Sequence, residues 1–396
     1  MHVWIDQDLC TGDGLCTDHC PEIFVILEDG IAYVRDGMEI GNDPGGARSM
    51  VPVAPDFQDR VVASAELGPG ECIFIEIDRT RPTAWGRPTD DRTRRRHETS
   101  DETVTKGGPQ LRVGAAMWAN RAWVGRYLPN DTATGAELAP YAHVCTAVEG
   151  NTTFYALPPA ATVARWAEQL PPWFRIVPKV PRTITHDRRL RDAAAELREF
   201  CDRLEPLAPW LGPISVQLPP TFGPDDLAVL DAFLTDAPRA FRWGVEPRHV
   251  DFAARGRGEA DLDALLRRHG ADRVIIDTRA VFAGPRQTVA EIEAFDRKPR
   301  LPVRPVATAD QPVVRFIGQT DRSHNPAFWA PWVDAVVRWL DEGRDPIVFL
   351  HTPDNAEAPA DARAFHDEVR ARRPGLDPLP EPWPLVDQLD LFGPST

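Results

Sequence analysis

Val144-Cys145-Thr146-Ala147-Val148-Glu149-Gly150-Asn151-Thr152-Thr153-Phe154-Tyr155 is an apolar, β-branched run that ends on a carboxylate and then breaks into glycine, small polar residues and two aromatics. A strand buried on both faces reads as a continuous apolar run, and its polar groups collect where it ends. The same grammar recurs on either side. Upstream lies Leu111 to Ala116; downstream lie Phe174 to Val180, Ile214 to Leu218, Arg242 to Glu246, Arg273 to Asp277, Val313 to Gly318 and Ile347 to His351. Helical patterns separate them, among them Ala160 to Gln169, Arg189 to Leu204, Asp225 to Leu234, Asp261 to His269 and Phe328 to Leu340, with Ala358 to Ala371 after the last strand. Eight such strands alternating with helices over about 285 residues predict an α/β (β/α)8 TIM barrel spanning 111–386.

In such a barrel the functional groups sit where strands end and the following loops begin. The polar residues at those points are Glu149, Asn151, Lys179, Glu246, Arg248, Asp277, His351 and Asp354, the candidate catalytic set at the barrel mouth, with Arg182, Gln217 and Arg315 beside them. Two chemistries fit them. Lys179, Arg182, Arg248 and Arg315 are suited to a phosphate or carboxylate while Glu149 or Glu246 moves a proton, as in phosphate-ester or sugar chemistry. Alternatively Glu149, Glu246, Asp277 and His351 are donors for a divalent ion. Five motifs in order, Val148 to Tyr155, Lys179 to His186, Val216 to Pro220, Glu246 to His249 and Phe349 to Asn355, resemble the YecE-like barrel family, also known as domain of unknown function 72. The resemblance runs from about Leu111 to Phe392 and implies a TIM barrel, without an established reaction.

The N-terminal part carries a different signal. Cys10-Thr11-Gly12-Asp13-Gly14-Leu15-Cys16-Thr17-Asp18-His19-Cys20-Pro21 places three thiols in a glycine-containing loop, a spacing that lets backbone amides and soft thiolates surround an iron-sulfur cluster. Against the bacterial loop C-x2-C-x2-C-x3-C-P, the second ligand position is Asp13. A carboxylate is a hard, weak iron ligand, which favours a 3Fe-4S cluster over a 4Fe-4S cluster. With Val3 to Asp6 read as a strand, Phe57 to Glu66 as a helix and Cys72 to Glu76 as a strand, residues 1–78 form an α+β ferredoxin-like domain.

This stretch resembles the single-cluster ferredoxins of actinobacteria and some thermophiles. The resemblance implies a remote Cys-Pro-Gly-Glu-Cys motif, which here reads Gly68-Pro69-Gly70-Glu71-Cys72, so that Gly68 stands where a thiolate is expected. Cys10 and Cys16 keep type and spacing; Cys72 is the remote thiol able to substitute, Cys20 is a further cofactor-binding candidate, and Asp13 completes the candidate metal set of Cys10, Asp13, Cys16 and Cys72. The same thiols suit structural zinc, and loss of the ligand at Gly68 is also compatible with a vestigial domain that keeps only the fold.

Charge sharpens the division. The chain has 396 residues and a formal net charge of −15, of which residues 1–78 hold sixteen Asp and Glu against Arg35, Arg48 and Arg60. So acidic a field steers a basic redox partner, such as a ferredoxin reductase or oxidase, toward the cluster and repels nucleic acid and anionic membranes. Between the two parts, residues 79–110 are rich in Arg, Asp, Thr, Pro and Gly and read as a disordered linker reaching roughly 30 Å, which permits contact between the domains without enforcing it. Residues 387–396 read as a tail. No run approaches the roughly 18 apolar residues of a membrane span and no secretory leader precedes Asp6 and Asp8, so a cytoplasmic protein with a small-molecule ligand at the barrel mouth is expected.

Overall fold

The structure is a computed structural model that describes residues 1–5, 15–27, 32–37, 39–41, 50–67, 73–76, 108–132, 135–155 and 157–383. The N-terminal unit is built from β1 (His2–Ile5), α1 (Leu15–His19), β2 (Phe24–Ile26), β3 (Ala32–Asp36), β4 (Glu39–Gly41), β5 (Val51–Pro52), α2 (Gln58–Leu67) and β6 (Ile73–Glu76). Two antiparallel sheets result, ordered β5-β1-β6 and β2-β3-β4. Alternation along β1 and β6 turns Val3, Ile5 and Ile73 into an apolar core with Phe24, Val34, Val61, Cys16 and Cys20. Arg60 of α2 ties the end of α1 to that core: its Nε donates to the His19 carbonyl at 2.7 Å and its guanidinium pairs with Glu22.

The second unit is the expected α/β barrel. Its strands are β7 (Arg112–Ala115), β8 (Ala147–Gly150), β9 (Arg175–Pro178), β10 (Ile214–Gln217), β11 (Trp243–Glu246), β12 (Asp272–Asp277), β13 (Val313–Ile317) and β14 (Ile347–His351). They form one sheet in the order β10-β11-β12-β13-β14-β7-β8-β9, every ladder parallel. Two isolated parallel bridges, Ile176↔Leu211 and Lys179↔Ser215, join β9 to the β10 side and bring the sheet round on itself. All eight strands fall where the sequence puts them, within a few residues at each end.

The helices are α3 (Leu138–Val144), α4 (Thr152–Tyr155), α5 (Ala160–Gln169), α6 (Ala194–Leu204), α7 (Leu227–Asp236), α8 (Arg257–His269), α9 (Arg279–Ala283), α10 (Val289–Arg297), α11 (Asn325–Asp341) and α12 (Ala358–Arg372). One departure from the expected bounds has a clear cause. Helix α6 begins five residues later than the pattern suggests because Arg189, Leu190 and Asp192 hold left-handed φ values of 49°, 65° and 50°, which interrupt a helical run. Gly108, Pro109 and Gln110, read as the end of the linker, already belong to the barrel: the Gln110 amide donates to Asp345 at 2.8 Å and its side chain to Asp377. The rest of the linker, apart from these three residues, lies outside the described residues, as does the tail.

Two apolar layers position the site. The larger lies between sheet and helices, where α11 contributes Trp329, Trp332, Val333, Val336 and Trp339 from one stripe. The smaller fills the barrel interior with Ala147, Val177, Val274, Val313, Ile347 and Phe349. This dry plug is the floor on which the mouth residues stand.

The close approach of β7 to β8 requires a residue without a side chain. A Cβ on Gly114 would lie 1.8 Å from the Ala147 carbonyl oxygen, which is strand backbone and has no room to give. Gly114→Ala is therefore expected to lower stability by about 1–3 kcal/mol or more in denaturant unfolding. A loss under about 0.5 kcal/mol, the range of an innocuous surface change, would show that the two strands do not pair in this register.

Candidate functional site

The period of two along each strand selects which polar residues enter the barrel. Ala147 faces the interior plug, so Glu149 does too, one layer nearer the mouth; the same step takes Val177 to Lys179, Val313 to Arg315, and Phe349 to His351. Gln217 of β10 and Glu246 of β11 occupy the same level through the register Gln217↔Glu246. All six are buried.

Arg315 is the hub of this layer. Its Nη1 donates to Glu246 Oε2 at 2.9 Å and its Nη2 to Glu149 Oε2 at 3.0 Å, while its Nε pairs with Glu149 Oε1. A single guanidinium thus joins carboxylates from β8 and β11, strands that are three places apart round the barrel across the β9–β10 seam. Lys179 Nζ lies 3.2 Å from Gln217 Oε1 and 3.7 Å from Glu149 Oε1. Arg248 donates to Glu246 at 2.7 Å and to Gln217 at 2.9 Å. Asn151 donates to Glu149 at 3.2 Å and to the Ala116 carbonyl. His351 Nε2 stands 3.5 Å from Glu149 Oε2 and, buried, makes no hydrogen bond among the described residues; the buried Asn151 Oδ1 is in the same state.

Electrostatics fixes the charge states. Burial alone would raise both carboxylic acids, but Arg315, with Lys179 and His351, holds Glu149 at about 2. Against the same burial, Arg315 and Arg248 hold Glu246 well below the usual carboxylate range. Burial lowers His351 to about 3, helped by Arg315 and opposed by Glu149, so its imidazole is neutral at physiological pH. His186 is also lowered, to about 4, by burial and then by Arg248 and Arg182. Two pinned anions and neutral histidines make weak proton acceptors near pH 7, whereas they hold hydrogen-bonding partners in fixed orientation.

Six of the eight expected mouth residues, Glu149, Asn151, Lys179, Glu246, Arg248 and His351, come together in this one network. Asp277 does not, because it follows the inward-facing Val274 by an odd step and so turns to the helices. There it accepts from Trp332 Nε1 of α11 at 2.7 Å and pairs with Arg279. Asp354 caps its own loop, accepting from Thr352 Oγ1 and the Ala356 amide. Among the described residues no three His, Cys, Asp or Glu side chains are placed to hold a metal ion. Glu149 and Glu246 spend their carboxylates on Arg315 and Asp277 faces away, which is the physical reason the divalent-ion reading of these residues finds no support.

Sequence reasoning placed Gln217 beside the site and Arg315 among the cations suited to an anionic ligand, not as the hub of the network. The signal for Arg315 was a cation inside an otherwise apolar strand, Val313–Ile317. Thr153 was missed; its hydroxyl bridges the backbone of Lys179, accepting from the amide at 2.9 Å and donating to the carbonyl at 2.6 Å.

In the N-terminal unit, Cys16 is buried in α1 and Cys20 is fully buried just beyond it, its thiol pushed up chiefly by burial. Both thiols pack in the same apolar core, Cys20 the more deeply of the two. Cys10, Asp13, Gly68 and Cys72 lie outside the described residues.

Comparison with known proteins finds two family profiles that match separate parts of the chain. The profile of the family described as Protein of unknown function DUF72 matches residues 112–384. That of the 4Fe-4S single cluster domain matches residues 3–75. UPF0759 protein YecE of Escherichia coli (strain K12) is 38% identical over 280 residues, which is 71% of this chain and 99% of that protein. The protein of the same name from Escherichia coli O157:H7 gives the same figures. In the crystal structure of a DUF72 family protein from Thermotoga maritima MSB8, 99% of that chain aligns with 66% of this one, with a TM-score of 0.51 and 22% identity, a likeness of fold.

Two measurements test the network. Arg315→Met leaves two buried carboxylates without their shared partner and is expected to cost about 3–5 kcal/mol in equilibrium unfolding; a cost below about 1 kcal/mol, the worth of an exposed ion pair, would mean the two acids are solvated. The second concerns pH. His351 stays neutral in the fold down to about 3, whereas unfolded it takes a proton near its ordinary value of 6.5. Between those values the unfolded state binds more protons, so the histidine's share of stability is present above 6.5 and is lost as pH falls toward 3. Asp272, raised to about 7 by burial, acts in the opposite sense, since the folded state holds its proton longer as pH rises. His351→Gln should remove one proton's worth of slope from the stability-pH curve in the lower window; an unchanged slope would show that the imidazole is solvated in the fold.

Proposed function

Because the chain belongs to the DUF72 family of barrels and joins to it a single-cluster iron-sulfur module, we propose that it is an electron-transfer protein in which a ferredoxin module serves a barrel that binds a small polar ligand at its mouth. The observation that carries this reading is the iron-sulfur profile match over residues 3–75. It coincides with Cys16 at the head of α1. A bound cluster supplies one-electron redox chemistry. Cys10 and Cys16 are its principal thiolates, Cys72 the remote one in place of Gly68, and Asp13 a weak oxygen ligand that favours the three-iron form. Cys20 serves as packing. The acidity of residues 1–78 suits a basic reductase or oxidase as the external partner.

At the mouth, His351 and Asn151, whose Nε2 and Oδ1 valences are open among the described residues, both neighbour Glu149, as does the cationic Lys179, and Arg248 is joined to Lys179 through Gln217. That pairing suits a hydroxyl-bearing, anionic molecule such as a phosphorylated or sugar-like compound. It also favours a second reading, a barrel enzyme for such a compound whose ferredoxin fold only binds a partner.

Iron and acid-labile sulfide analysis with electron paramagnetic resonance on anaerobically purified protein separates the two. The electron-transfer reading expects about three irons and four sulfides per chain and a signal from the oxidised form, and expects Cys10→Ser or Cys16→Ser to abolish the visible absorbance. A folded wild-type protein that takes up no iron on reconstitution overturns it and leaves the second reading.

A further inference from the structure

The sequence leaves the two units joined by a tether that permits contact without enforcing it; the side chains argue for more. Trp4 and Phe74 are register partners on β1 and β6, and their rings stack at 4.2 Å with 13° between planes. Both are one residue out of phase with Val3, Ile5 and Ile73, so they point away from the core of their own unit and are not part of it among the described residues. Both are nevertheless buried, at 9% and 8% exposure. What Phe74 meets is the barrel: its ring stands edge-on to Tyr155 of α4 at 5.7 Å and 84°.

From Tyr155 the contact runs on into the mouth. Phe154 stands edge-on to Tyr155 at 5.1 Å and to His186 at 5.2 Å, and Lys179 Nζ lies 5.9 Å from the Phe154 ring centroid. A small cavity of about 30 Å³ is lined from the module by Val62 and by Met1, Ile73 and Ile75, which also pack in the module's own core, and from the barrel by Tyr155, Leu157 and Pro158, so the edge of that core reaches the barrel as well. Apolar side chains that face outward from one domain and are covered by apolar side chains of another have the makings of an interface, since separating them returns that surface to water.

We infer that the iron-sulfur module is seated on the rim of the barrel mouth in solution, with Phe74, backed by its stack on Trp4, docked on Tyr155, so that the partner of this apolar face is the barrel of the same chain. The inference rests on packing and holds whether or not a cluster is bound.

Small-angle X-ray scattering on the full-length chain, as wild type, Tyr155→Ala and Tyr155→Phe, tests it. Wild type should scatter as one compact particle. Tyr155→Ala should release the module to the reach of its linker and raise the radius of gyration by about 5 Å. Tyr155→Phe, which keeps the ring, should remain as compact as wild type. Wild-type scattering that fits two bodies moving independently overturns the inference whatever the variants do, and so does a Tyr155→Ala protein whose curve matches wild type while its circular dichroism shows an intact fold.

Discussion

One guanidinium organises the barrel interior. Arg315 is buried above an apolar plug, where an uncompensated charge would cost several kcal/mol, and two carboxylates buried with it would cost as much again. Each makes the others tolerable. Glu149 and Glu246 stay ionised because Arg315 lies between them, Lys179 stands beside Glu149, Arg248 donates to Glu246, and Gln217 Oε1 accepts from both of those cations. Such a network is satisfied as a unit and loses badly when one member is removed, so it holds the mouth to one geometry. The two valences it leaves open, on His351 and Asn151, are then presented in fixed positions.

How much of this was legible depends on which period a residue obeys. The eight strands stood out because parallel, doubly covered strands are apolar throughout, and each break to Gly, Pro or a charge marks an end. That gave the barrel and the level of the mouth. It did not give the inward face, since a continuous apolar run hides the alternation that would show it. Asp277 illustrates the consequence: it stands at a strand end like Glu149 and Glu246, yet one step of phase sends it to Trp332 of α11. Arg315, a cation within Val313 to Ile317, was the better signal, because only a position with waiting counter-charges accepts a guanidinium there.

In the N-terminal unit the thiol spacing pointed to an iron-sulfur module, in line with the matching family profile. Cys16 and Cys20 lie four residues apart, look alike in sequence and both pack in the core with Phe24 and Val61. The outward faces of β1 and β6 were illegible for a different reason. Trp4 and Phe74 sit in short strands where any aromatic reads as core, and only the three-dimensional phase shows that their own core lies on the other side.

The barrel wall is also uneven around its circumference. Seven of its neighbouring strand pairs are joined by regular ladders, whereas β9 meets the β10 side through two single bridges, one of them at Lys179 itself. Fewer shared hydrogen bonds make a wall easier to part locally, so the seam is where breathing of the barrel costs least. Lys179 stands at that seam, but on its other side its backbone is tied to Thr153 and, through the four-residue ladder of β9 to β8, to the strand that carries Glu149. Parting of the wall there would carry Lys179 and Glu149 to one side and Gln217 and Glu246 to the other, so the mouth would widen between those two pairs.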